Sequence, residues 1–286
     1  MEWLKRHGMD VNMKAIQGFT PMHSAVWGGH AEALEWLLRK GADIQAADND
    51  GFTPLHQAAL RGQAEVVDWL VEHGAAMEAA TLAGETPLHL AARHGRVAAM
   101  KTLTRHGAQA LAKNSKGLTP FHVAAAAGWI AAMRCLLDQG VDVDARAADG
   151  RTPIYFAASN SHVVAMAWLE EHGADIHART PSLGCYLMHE AAFGARIRIM
   201  EWLRRHGIDM EEKSGWGLRP MHAAAYGGHV DALEWLKAHG ADVCPRDDHG
   251  QTPFQAAVER GRVAAARWLE ANGPLERPDS NPEKDA

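Results

Sequence analysis

One phrase returns along this chain at a nearly fixed interval: glycine, a variable residue, Thr-Pro, an apolar residue, histidine. It reads Gly18-Phe-Thr-Pro-Met-His, Gly51-Phe-Thr-Pro-Leu-His, Gly84-Glu-Thr-Pro-Leu-His and Gly117-Leu-Thr-Pro-Phe-His. Gly150-Arg-Thr-Pro-Ile-Tyr, Gly184-Cys-Tyr-Leu-Met-His, Gly217-Leu-Arg-Pro-Met-His and Gly250-Gln-Thr-Pro-Phe-Gln are its variants. The leading glycines stand 33 residues apart, with one step of 34 between Gly150 and Gly184. A period of this size marks an array of small units, none of which can bury its own apolar side without neighbours. A globular chain of 286 residues would make about two domains. The period predicts instead one elongated solenoid whose contacts run between successive units.

The unit from Gly51 to Ala83 shows the local physics. Thr53 is placed to cap a helix, and Pro54 follows at the first helical position, where its missing N–H costs nothing. Leu55, Ala58 and Ala59 make a short apolar face, and Gly62 ends the helix in a left-handed turn that suits glycine. A second helix from about Ala64 to His73 carries Val66, Val67, Trp69 and Leu70 at helical spacing, and Gly74 stops it. Trp3, Trp36, Trp69, Trp168, Trp202, Trp235 and Trp268 keep the same register, each before a leucine. Thr102 and Cys135 take their place in units three and four. These rings are expected to seal one unit against the next.

The phrase and its period resemble the ankyrin repeat over residues 18 to about 273. That resemblance implies an all-α solenoid of 33-residue helix–turn–helix units with short β-hairpin loops. The units are 18–50, 51–83, 84–116, 117–149, 150–183, 184–216, 217–249 and 250–273. Residues 1–17 are half a unit, either an open N-terminal cap or the entry from a longer array. Residues 274–286, with three prolines and six charges, read as an irregular charged tail. The pattern frays in units five and six. Tyr155 replaces the histidine, Ser161 and Ala195 replace the inter-helix glycine, Tyr186-Leu187 replaces Thr-Pro, and the additional residue falls within 178–183. This junction is expected to be the least stable part of the array.

Composition narrows the function. A formal charge of −6 and a pI near 6.3 give no basic excess for nucleic acid. Three cysteines, Cys135, Cys185 and Cys244, without short pairing point to a reducing cytoplasmic or nuclear compartment. No apolar run could span a membrane, and no signal-peptide core opens the chain. Most of the eighteen histidines fall at repeated positions and none has metal-ligand spacing, so neither metal nor cofactor is expected. No nucleophile elbow or phosphate-cradling loop appears, and no catalytic residue is assigned.

In ankyrin repeat proteins, partners usually bind the concave face made by loop tips and first helices, at positions that vary between units. Here those positions hold Phe19, Trp27, Phe52, Leu60, Arg61, Leu90, Arg93 and Leu118, then Arg151, Phe156, Phe193, Trp216, Leu218 and Tyr226. Exposed apolar side chains in a row mark an interaction surface, with Trp, Tyr and Arg the commonest anchors. Phe156 and Phe193 could equally fill gaps in the frayed units. The expectation is a non-catalytic adaptor, monomeric by itself, that binds another protein. An architectural subunit of a complex, or the recruiting region of a longer enzyme, are the alternatives.

Overall fold

The computed structural model describes residues 10–180 and 184–273. The half unit's Trp3 and the charged tail lie outside them. The chain divides into two compact units, Met1–Ala174 and Asp175–Ala286. The boundary falls within the 34-residue step between Gly150 and Gly184.

Among the described residues of the first unit, ten helices form five antiparallel pairs, each beginning at its Pro. They are α1 (Pro21–Gly28) with α2 (Ala31–Arg39), α3 (Pro54–Arg61) with α4 (Ala64–Glu72), and α5 (Pro87–Arg93) with α6 (Val97–Arg105). Then come α7 (Pro120–Ala126) with α8 (Ile130–Leu137), and α9 (Pro153–Ser159) with α10 (Val163–Glu171). First helices stack in one row, α1 on α3 through to α9, and second helices in another, α4 on α6 on α8. The second unit repeats this with α11 (Leu187–Phe193), α12 (Ile197–Arg205), α13 (Pro220–Gly227), α14 (Val230–Ala238), α15 (Pro253–Glu259) and α16 (Val263–Asn272). Between the rows the core is alanine, leucine and methionine, with Leu55, Met100, Phe121 and Leu203 wholly buried. Small alanines let first helices approach closely, which is why helices of seven or eight residues persist although they would be marginal alone.

The histidine of each phrase holds a repeat and ties it to the next. In α3, His56 Nδ1 accepts from the Thr53 N–H at 3.1 Å and lies 2.9 Å from the Thr53 hydroxyl. Nδ1 is therefore the acceptor, and Nε2–H donates to the Glu85 carbonyl of the following repeat at 3.0 Å. His23 reaches Phe52 O and His89 reaches Leu118 O in the same way, whereas His122 Nε2 reaches Ala145 O, in the loop of its own repeat. In the second unit His189 reaches Leu218 O and His222 reaches Gln251 O. The box survives the loss of Thr in α11 and α13 because the backbone N–H of Tyr186 or Arg219 still donates to the ring. In α9 it does not: Tyr155 stands at the histidine's place, and the buried Thr152 hydroxyl has no partner.

The loops were expected as short β-hairpins, but no strand forms among the described residues. Each loop closes on itself by two backbone bonds, such as Asp48 N–H to Phe52 O at 2.9 Å and Gly51 N–H to Asp48 O at 3.1 Å. One rung then joins it to the preceding tip: Asn49 N–H to Gln17 O, Leu82 N–H to Asp50 O, Asp248 N–H to Trp216 O. One rung per tip is too few for a ladder.

The tryptophan row does more than seal. His73, His172, His206 and His239 each stack on the Trp four residues before, with ring centroids 3.8–4.1 Å apart. Their Nδ1–H donates to that Trp's carbonyl at 2.7 Å, capping the end of the second helix. Where Thr102 replaces Trp, His106 turns instead to Asp68 of the preceding repeat at 2.6 Å.

Ser161 (φ 63°) and Ala195 (φ 51°) are the only non-glycine residues with positive φ among those described. Their repeats keep the left-handed turn without the residue that tolerates it. Ser161→Gly and Ala195→Gly should each stabilise the protein by about 1 kcal/mol, the strain relieved exceeding glycine's entropic cost. Thermal melts of the two variants measure this. Amide exchange should be fastest through α9–α12; uniform protection across the helix pairs would contradict a weak junction.

Candidate functional site

Loop tips and first helices present one face in each unit. In the first unit, Trp27 closes α1 and is 55% exposed. Phe19, Ala15, Ile16, Gln17, Ser24 and Trp27 line an open, largely apolar cavity of about 630 Å³. The Arg61 guanidinium, at the end of α3, lies 4.0 Å from the Trp27 ring centroid. It has no carboxylate partner among the described residues, so a cation rests on an exposed indole at the edge of the cavity. Phe52 is half-buried against the ring of His56, with centroids 5.8 Å apart, and Leu60 and Leu118 are half-buried too. Arg93 is exposed and forms an ion pair with Glu85, whose backbone holds the neighbouring histidine.

Arg151 bonds Asp149 at 2.7 Å and covers the Phe156 ring at 4.7 Å. Burial pushes the Asp149 carboxyl up, but hydrogen bonds from Arg151 outweigh this and hold it below the usual range. Leu90 and Phe156 were expected on the open face and are not there: both are buried. They follow the histidine, a position that faces the preceding repeat, as the 5.6 Å edge contact of Phe156 with His122 shows. That side of the helix is stacking surface.

In the second unit, Phe193 (52% exposed) closes α11 and Trp216 (54%) stands on a loop tip. Leu218 and Tyr226 are half-buried. The Tyr226 hydroxyl donates to Gln251 Oε1 at 3.0 Å and Arg260 lies 5.3 Å from its ring. Burial, then the nearby Glu259 carboxylate, raises the Tyr226 phenol.

Ile16, fully exposed beside Phe19, and Trp129, which donates from Nε1 to the Arg93 carbonyl at 2.9 Å, were not singled out from the sequence. Both carried a signal. Ile16 is at the variable place two before the leading glycine. Trp129 follows Gly128 where the other repeats hold a polar side chain: Gln63, Arg96, His162, Arg196 or Arg262. Arg96 and Arg262 make the same bond back to the first helix before them, to Leu60 O and Tyr226 O.

Among the described residues no three His, Cys, Asp or Glu side chains gather to hold a metal ion. No described helix is long and apolar enough to cross a membrane. The face carries aromatic and guanidinium groups.

Stacked helix pairs with a tip-to-tip rung and a histidine tie define a repeat protein made for recognition. The chain belongs to the ankyrin repeat proteins: the family model for ankyrin repeats (3 copies) matches residues 45–114, 106–180 and 187–277, and that for ankyrin repeats (many copies) matches residues 1–38. Among solved structures it is similar to the ankyrin repeat domain of Bcl-3, a unique member of the IkappaB protein family. The match has a TM-score of 0.61 and 29% identity, over 77% of this chain and 99% of that one. No curated protein matches the chain.

Proposed function

We propose that this protein is a non-catalytic adaptor that binds a protein partner through its loop tips and first helices. The observation that carries the reading is the pair of indoles, Trp27 and Trp216, each held more than half exposed at the loop-tip and first-helix face. Each stands on a rigid element beside further apolar groups, so little side-chain entropy is left to lose on binding. A formal charge of −6 favours protein over nucleic acid as partner. Cys135, Cys185 and Cys244 form no disulfide, and burial pushes the Cys185 thiol up to about 11. Unreactive thiols of this kind fit a reducing, cytoplasmic or nuclear setting.

The test is quantitative capture of the partner by wild type and by the Trp27→Ala/Phe52→Ala/Trp216→Ala variant, both folded by circular dichroism. Loss of two or three exposed anchors should weaken binding by about 100-fold or more. Equal capture by both would overturn the assignment of the site.

A further inference from the structure

Within each unit successive repeats join through the same two faces; α1 of the first unit and α15 of the second each leave one such face open. The residue after the histidine faces the preceding repeat: Gln57, Leu90 and Val123 are buried there, while Ser24 of α1 is exposed. Ile16 and Trp27 lie open beside it, around the apolar cavity. At the other end, the residue after the phrase's Pro faces the following repeat. Leu55, Leu88 and Phe121 are wholly buried at that place, but Phe254 of α15 is 37% exposed. Val258 is 53% exposed where Ala59, Ala92 and Ala125 are fully buried.

The two open faces also carry matching unfinished hydrogen bonds. Gln255 stands in the histidine's place, and its Oε1 accepts from the Thr252 N–H at 2.8 Å, as Nδ1 does elsewhere. Its Nε2 then corresponds to the imidazole Nε2–H that donates to the next repeat, and it has no partner among the described residues. The matching acceptor on α1's side is Phe19 O. It receives only the Ala15 N–H, whereas Phe52 O receives both the Asp48 N–H and His23 Nε2. The tip rung is unfinished in the same sense. Ile16 N–H is the counterpart of Asn49 N–H, and His249 O is the counterpart of Gln17 O.

We propose that a second copy of this chain docks head to tail, the face of α15 in one molecule seating on the face of α1 in the other. The Gln255 amide donates to Phe19 O, the Ile16 N–H donates to His249 O, and Phe254 and Val258 cover the cavity beside Ile16 and Ser24. The contact joins two different surfaces, so each molecule in an assembly keeps one of each for a further copy.

Sedimentation velocity between about 10 µM and about 1 mM tests this. Ser24→Arg blocks one face and Val258→Glu the other. Both positions are exposed, so the fold should be kept, which circular dichroism checks. Wild type should sediment faster as concentration rises, and each variant alone should stay monomeric. An equimolar mixture should form a heterodimer and stop there, since each partner supplies the face the other lacks. A monomeric wild type throughout the range would overturn the proposal. So would a variant that assembles by itself like wild type, or a mixture that forms nothing.

Discussion

Acidification from about pH 6.5 to about pH 4 should strip this protein of several kcal/mol of stability. The cause is the histidine of the repeated phrase. Burial lowers the basicity of His23, His56, His89 and His222, and takes His122 and His189 to about 4. The geometry agrees, since Nδ1 already accepts from the backbone and a proton there would break the box. An unfolded histidine titrates near 6.5. Above that pH both states are neutral and stability is complete. Below it the unfolded chain takes up protons that the folded one refuses, so stability falls until the folded rings also protonate near 4. At 1.36 kcal/mol per pH unit, His122 and His189 each account for a loss of about 3 kcal/mol. Out of a typical total of 5–15 kcal/mol, that is enough to unfold the chain in weak acid. Urea titrations at pH 7 and pH 4.5 measure the loss. His122→Gln/His189→Gln should flatten the dependence, because the chain itself uses Gln255 for the same bonds without a titrating group. A wild type equally stable at both pH values would refute the mechanism.

The second large effect concerns the loop tips. Gly117 has φ +70°, and a Cβ there would come within 2.5 Å of the Ala148 backbone nitrogen. That nitrogen makes the rung to Lys116 O, so the clash falls on the bond joining the tips of units three and four. Gly74 ends α4 with φ +90° and open space around it. Gly74→Ala should therefore cost about 1 kcal/mol, from backbone conformation alone. Gly117→Ala should cost about 3 kcal/mol, because steric conflict with a fixed backbone adds to the same strain. Paired chemical melts at equal pH would decide it, and equal costs would show that the rung does not hold the tips.

Much of the architecture could be read from the sequence because it is written in residues with few alternative uses. Proline at a helix start and glycine at a left-handed turn are close to obligatory, so the helix pairs follow the period closely. The substitutions at Ser161 and Ala195 kept the glycine's conformation, so packing around the turn dictates it and not the residue at its place. The open face was harder to read. A variable position can be variable because it faces solvent or because it faces a neighbour that varies with it. Leu90 and Phe156 belong to the second kind, and only the ring of His122 against Phe156 tells the two apart. The stack of Trp on His was also hidden. Its members stand four residues apart on a helix end, a spacing shared by many side chains that never meet.

Apart from His122, which bonds within its own repeat, the tie from histidine to the carbonyl ahead runs in one direction, from earlier repeat to later. A block of thirty-three residues copied or excised anywhere in register therefore leaves every donor facing an acceptor of the same kind. Such a gene can lengthen or shorten by unequal exchange without inventing a new junction. Its freedom is least around Tyr155, where the donor has been replaced and a duplicated block would carry the flaw with it.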